Sequence, residues 1–160
     1  MNTLEKMPDH ARLWVYQSSR PFTESERNEL ATYLDAFVDQ WKAHGQALLA
    51  KYCIEYNQFI VVAVDESFHL ASGCSIDASV GLMRQLEQKF GISLLDRSQV
   101  AYLNDEDIVL KPFNTIKEAV ASGEIAGDTI IFNNAVQSVS EWKNSWAVPA
   151  NTSWLKRYFA

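Results

Sequence analysis

Ser72-Gly73-Cys74-Ser75-Ile76-Asp77 is the segment of this chain best furnished for chemistry, setting a thiol, hydroxyls and a carboxylate at the expected start of a helix. A helix N-terminus carries about half a positive charge and unpaired amides, which favour a bound anion and lower the pKa of a nearby thiol. Cys74 is thereby a candidate nucleophile, and Asp77 is a second candidate catalytic residue beside it, with Arg20 and Asp65 nearby. The same residues also read as a tight helix start, with Gly73 for the turn, Ser75 or Asp77 as the cap, and Cys74 as a small buried hydrophobe. Gln17-Ser18-Ser19-Arg20 forms a second group. Ser18, Ser19 and Arg20, joined by Ser72, Gly73 and Ser75, would offer hydroxyls, amides and a guanidinium to a phosphate or carboxylate.

A reactive Cys74 needs a base, and His44 and His69 are the histidines that the sequence offers it. His44 also suits a place beside the last carbonyls of a helix. Glu66 and His69 share the Glu-x-x-His spacing of di-iron helices, but the pair falls in a loop and occurs once, so no metal is assigned. Asp65-Glu66 at the end of a strand invites acid/base work and equally fits a strand leaving the core. Trp14 and Tyr16, alternating with Leu13 and Val15, read as core packing or as a base-stacking surface, and the RNA-binding consensus is missing.

The elements that must position these residues follow from patterning. Leu13 to Gln17 reads as strand one. Thr23-Glu24-Ser25-Glu26 is a capping box opening a helix over Glu24 to His44, with Leu30, Leu34, Phe37, Val38 and Trp41 on one face and Gly45 ending it. Ala50 to Tyr56 and Phe59 to Val64 form a hairpin across Asn57-Gln58. A second helix carries Val80, Met83, Leu86 and Phe90 on one face and closes at Gly91. Val100 to Leu103 reads as a fourth strand. The order strand, helix, strand, strand, helix, strand predicts an α+β fold with a ferredoxin-like split βαβ core (βαββαβ), two helices lying on one face of an antiparallel sheet. In that reading strands one and three are adjacent and parallel at the centre, which brings the loops after them together. The core spans 11–104, and an α/β extension over 105–160 packs on it within one domain. The extension holds a strand at Ile108 to Leu110, a helix opened by Thr115 and ended by Gly123, a strand at Thr129 to Phe132 and an irregular tail.

Phe59 to Val64 is apolar at every position, as expected of a strand covered on both faces. Trp142, Trp146, Trp154, Tyr158 and Phe159 are the expected cover, with a second copy of the chain as the alternative, so a monomer or a homodimer is expected. That run is too short to cross a membrane, and the first residues lack a secretory leader. Two cysteines give neither a disulfide framework nor a metal spacing, so a cytoplasmic protein without cofactor is expected. A net charge of −6 opposes nucleic acid and acidic membrane surfaces.

Arg12-Leu13-Trp14-Val15-Tyr16-Gln17, Ala43-His44-Gly45, Val64-Asp65-Glu66, Ser72 to Asp77 and Ser153-Trp154 together resemble a family of uncharacterised bacterial proteins of about this length. The resemblance covers nearly the whole chain. Members of that family are often labelled "ABC transporter ATPase", which implies a nucleotide-binding P-loop. None of the glycines at 45, 73, 81, 91, 123 and 127 builds Gly-x-x-x-x-Gly-Lys-Ser/Thr, and Leu-Ser-Gly-Gly-Gln does not occur. ATPase chemistry is therefore not expected. The function read from the sequence is a small binding or interaction domain, its partner a small anionic ligand or a protein at the shared loop edge. The alternative is a thiol or acid/base enzyme using Cys74.

Overall fold

The structure, a computed structural model, describes residues 3–43, 45–67 and 70–159. Its centre is β5 (Phe59–Asp65), a strand buried at every position. Strand β1 (Arg12–Gln17) lies on one side of it and β4 (Leu49–Glu55) on the other, giving a three-stranded antiparallel sheet. Between β1 and β4 the chain runs through helix α1 (Glu24–Gln40) and a small ribbon of β2 (Lys42–Ala43) and β3 (Gln46–Ala47). The hairpin from β4 into β5 turns at Tyr56 and Asn57, both at positive φ. Asn57 tolerates that conformation, and its side-chain amide donates to the Phe22 carbonyl at 2.6 Å, tying the turn to the approach of α1.

Helix α1 opens on the expected capping box. The Glu26 amide donates to the Thr23 hydroxyl at 3.1 Å, and the Glu26 carboxylate accepts from the Thr23 amide at 2.9 Å. The helix stops at Gln40, earlier than its apolar stripe suggests. Trp41 turns into an extended backbone, where its indole is buried and donates to the Ser75 carbonyl at 2.7 Å. Gly45, at φ +79°, serves the β2–β3 turn rather than a helix end, and His44 lies outside the described residues. Helix α2 (Gly73–Phe90) takes Ser72 as its N-cap, not Ser75 or Asp77, because Ser72 and Ser75 cap each other reciprocally. Its buried face is Ser75, Ser79, Leu82, Met83 and Leu86, and Gly91 closes it in the left-handed conformation.

After α2 the chain leaves the first sheet. Strands β6 (Gln99–Asn104) and β7 (Asp107–Pro112) form a hairpin, and β8 (Ile130–Phe132) and β9 (Ala147–Pro149) extend it in the order β7-β6-β8-β9. Helix α3 (Ile116–Ala121) follows β7, and its expected cap is not made, since the Thr115 hydroxyl donates to the Pro112 carbonyl. The tail is more regular than the sequence suggests, with α4 (Val139–Ser145) ahead of β9. Helices and antiparallel sheets together make this an α+β chain, and no described helix is long and apolar enough to cross a membrane.

The strand order nevertheless departs from the four-stranded βαββαβ sheet. Strand β6 has β7 on one edge and β8 on the other, so it cannot also pair with β1. β1 is consequently an edge strand. Strands β1 and β5 are neighbours as expected, but they run antiparallel, with Arg12 opposite Val64 and Gln17 opposite Phe59.

The core explains the unbroken apolar run. Ile60, Val62 and Val64 join Leu30, Leu34, Met83 and Leu86 from α1 and α2. Phe59, Val61 and Ala63 join Phe132, Val139, Trp142 and Trp146 on the opposite face. Trp142 and Trp146 thus cover the second face, whereas Tyr158 and Phe159 pack beside a third cluster and Trp154 is partly exposed. Phe59 is the largest fully buried side chain, its ring centroid 5.0 Å from that of Phe132 and 5.1 Å from that of Trp146. Truncating such a residue costs about 3–5 kcal/mol through lost burial and a residual cavity. Urea unfolding of Phe59→Ala should show a loss of that size, whereas Leu70→Ser, at a side chain 71% exposed, should stay within about 0.5 kcal/mol of the parent.

Candidate functional site

The antiparallel pairing of β1 and β5 separates the two loops expected to share a site. Ser18, Ser19 and Arg20 leave the Gln17 end of β1, whereas Ser72 to Asp77 follow the far end of β5. Ser19 and Arg20 instead meet the C-terminal end of α2. The Ser93 amide donates to the Ser19 hydroxyl at 3.0 Å, and the Arg20 guanidinium donates to the Phe90 carbonyl at 2.8 Å. The length of α2, roughly 27 Å at about 1.5 Å per residue, therefore stands between Arg20 and Gly73. The anion site at a common loop edge does not form.

Each member of that site has a local task. Ser18 is buried, and its hydroxyl donates to the Arg20 carbonyl at 2.7 Å. Arg20 clamps the Glu26 carboxylate with two bonds of 2.7 and 2.8 Å. Ser72 and Ser75 are spent on the cap of α2, and Gly73 and Cys74 are the first two residues of that helix. Cys74 and Asp77 are both exposed. Cys74 borders an apolar groove of about 630 Å³ between α1 and α2, walled by Phe37, Trp41 and Leu82. No described histidine lines that groove, and His69, like His44, lies outside the described residues.

One histidine does meet a carboxylate elsewhere. The His10 Nε2 lies 3.0 Å from the Ser67 hydroxyl and 3.7 Å from the Asp65 carboxylate. Hydrogen bonds from Ser67, and then the nearby His10, hold the Asp65 carboxyl below the usual range. A single ring nitrogen faces both partners, so the relay of a serine nucleophile, which uses both nitrogens, is not built. Among the described residues no group of three or more His, Cys, Asp or Glu side chains is placed to hold a metal.

The open edge of β1 has more to offer. Two adjoining hollows of about 200 and 300 Å³ run along it, between β1, the approach to β6 and the segment after β8. Val15, Arg97, Asn134 and Ala135 border both. Gln17 is buried and anchors the polar wall, its side-chain amide donating to the Gln99 carbonyl at 3.2 Å and its oxygen accepting from Asn134 at 2.9 Å. The oxygen of Asn134 accepts from the Trp146 indole at 2.9 Å, which fixes the orientation of that amide. Asp96 bends back to accept from the amide and hydroxyl of Ser98, bonds that hold its carboxyl below the usual range. Arg97 next to it has no carboxylate within ion-pair distance among the described residues. At the mouth, Phe113 and Trp154 stack with centroids 5.6 Å apart and planes 13° from parallel.

The strand itself contributes backbone. Ser18 donates to Gln58, which places Tyr16 and Trp14 in hydrogen-bonded pairs with β5 and turns Val15 outward. The Val15 residue is 2% exposed, yet its N–H and C=O have no partner among the described residues. Buried backbone groups of this kind are rarely left unpaired, because desolvation without a hydrogen bond costs about 1–3 kcal/mol. Sequence reading missed Val15, Gln17, Arg97 and Asn134 as a group because they come from three segments that only the second sheet brings together. Compared with protein-family models, curated proteins and solved structures, the chain matches none.

Two outcomes follow for the displaced residues. Arg20, and then the Thr23 amide, hold the Glu26 carboxyl at about 2 instead of 4.5. A depressed carboxyl stabilises the fold above its unfolded pKa, so stability should fall as pH drops from about 4.5 to about 2. Glu26→Gln should flatten that part of a urea-midpoint profile, and an unchanged slope would refute the clamp. A thiol titration of the folded protein should modify the exposed Cys74 promptly and reach the buried Cys53 only on unfolding.

Proposed function

We propose that this protein is a small-ligand binding domain whose ligand is an anion held in the cleft along β1. The observation that carries the reading is the unpaired Arg97 guanidinium at the junction of the two hollows. Arg27, Lys51, Arg84 and Lys117 also lack a carboxylate partner among the described residues, and Arg97 differs from them in bordering both hollows of the β1 cleft, in a chain whose net charge of −6 repels anions from most of the surface. Asn134, held by Gln17 and Trp146, supplies an oriented amide beside it. Preorganised polar groups of this kind fix a ligand's orientation and lose little freedom on binding.

This keeps the small anionic ligand that the sequence suggested and moves it from the helix N-termini to the sheet edge. A thermal-shift series with acetate and inorganic phosphate tests it, since an anion that binds the folded state raises Tm with concentration. Arg97 is exposed, so Arg97→Gln should unfold within about 0.5 kcal/mol of the parent and lose the anion-dependent shift. A shift that survives the substitution would sink the reading.

A further inference from the structure

The free edge of β1 is closed at one end by backbone pairing and crossed at the other by a side chain. At one end the Leu13 amide donates to the Gln137 carbonyl at 3.0 Å, and Arg12 bridges Ser138. At the other, the Gln17 side chain reaches the Gln99 carbonyl at 3.2 Å. Between these cross-links Val15 turns its N–H and C=O into the cleft. One residue of extended chain satisfies such a pair, its N–H donating to the Val15 carbonyl and its own carbonyl accepting from the Val15 amide. If that residue ends in a carboxylate, one oxygen takes the Val15 N–H and the other turns toward Arg97. The N–H, the α-carbon and the carboxylate of a C-terminal residue are thus the chemical pattern that the edge and the cation share.

Resting on the anion-binding reading of this cleft, we infer that its ligand is an α-amido carboxylate, the end group of a dipeptide or an N-acylated amino acid. The two hollows, of about 200 and 300 Å³, hold a molecule of that size and not the surface of a folded partner. Backbone pairing at Leu13 and Arg12, and the Gln17 side chain that crosses to Gln99, confine a bound chain to a short stretch of β1. Phe113 and Trp154, 54% and 38% exposed at the mouth, offer an aromatic face to an apolar ligand side chain.

Titration calorimetry on the full chain tests this with N-acetylphenylalanine, its carboxamide, its N-methyl analogue, acetate, and a longer peptide ending in the same residue. N-acetylphenylalanine should bind more tightly than acetate. N-methylation, which removes the donor to Val15, should weaken it about tenfold, and amidation about ten- to a hundredfold. Changing the ligand leaves folding untouched, so a lost hydrogen bond is read without a destabilised variant. Equal binding of the N-methyl analogue overturns the inference, and the anion cleft survives that result if Arg97→Gln still abolishes acetate binding. Anion binding unchanged in Arg97→Gln overturns both. A longer peptide that binds as tightly as N-acetylphenylalanine overturns the restriction to free small ligands, and no binding by N-acetylphenylalanine overturns the inference outright.

Discussion

Strand β5 sets the terms for the rest of the molecule. Seven consecutive residues are buried, so each face of the strand must be covered by a separate layer, and hydrophobic burial at about 25 cal/mol per Å² makes an uncovered face costly. The α1–α2 pair covers the face of Ile60, Val62 and Val64. The chain beyond residue 105 must then supply Phe132, Val139, Trp142 and Trp146 to the other. This second demand decides where β6 goes. It is committed to the layer beneath the sheet, with β7 and β8 on its edges, so it does not extend the first sheet beside β1. The open edge, and the cleft along it, are consequences of giving β5 two covers.

Local signals were legible and long-range pairing was not. The capping box at Thr23, the cap glycine at Gly91 and the continuous apolar run of β5 are written within a few residues, and each is met where expected. The end of α1 has no local signal, because Trp41 continues a helical stripe and only its bond to the distant Ser75 carbonyl shows why it leaves the helix. Ser75 and Asp77 are as good caps as Ser72 in isolation, and only the reciprocal bonds of Ser72 and Ser75 settle the choice. The direction of β1 against β5 has no local signal at all. It misplaced the expected site, since reversing one strand moves Arg20 from the start of α2 to its end.

The charged groups at that end show why a plausible constellation can be structural. Arg20 meets the last carbonyls of α2, where a cation is favoured by the helix dipole, and at once holds Glu26 in the capping box of α1. One guanidinium therefore couples the end of one helix to the beginning of the other, and its two terminal nitrogens are fully engaged. Arg97 stands in the opposite condition, bordered by amides and by a carboxylate already committed to Ser98. The difference between the two arginines lies in what their neighbours leave unsatisfied, which residue type alone does not reveal.

An exposed edge strand is also a hazard, because unpaired N–H and C=O groups invite other strands and hence aggregation. Here the hazard is contained by length. The Leu13–Gln137 bond and the Arg12–Ser138 bridge close one end, and the Gln17 side chain crosses to Gln99 at the other, so the backbone of Val15 and Gln17 is what remains to pair. A strand from another molecule gains too few bonds there to offset the entropy of ordering it, which is about 1–2 kcal/mol per residue for the backbone alone. A compact ligand orders few bonds and keeps the gain from Val15, Asn134 and Arg97. The closures that keep the edge from propagating thus also limit what it can hold, and both properties follow from where the second sheet touches β1.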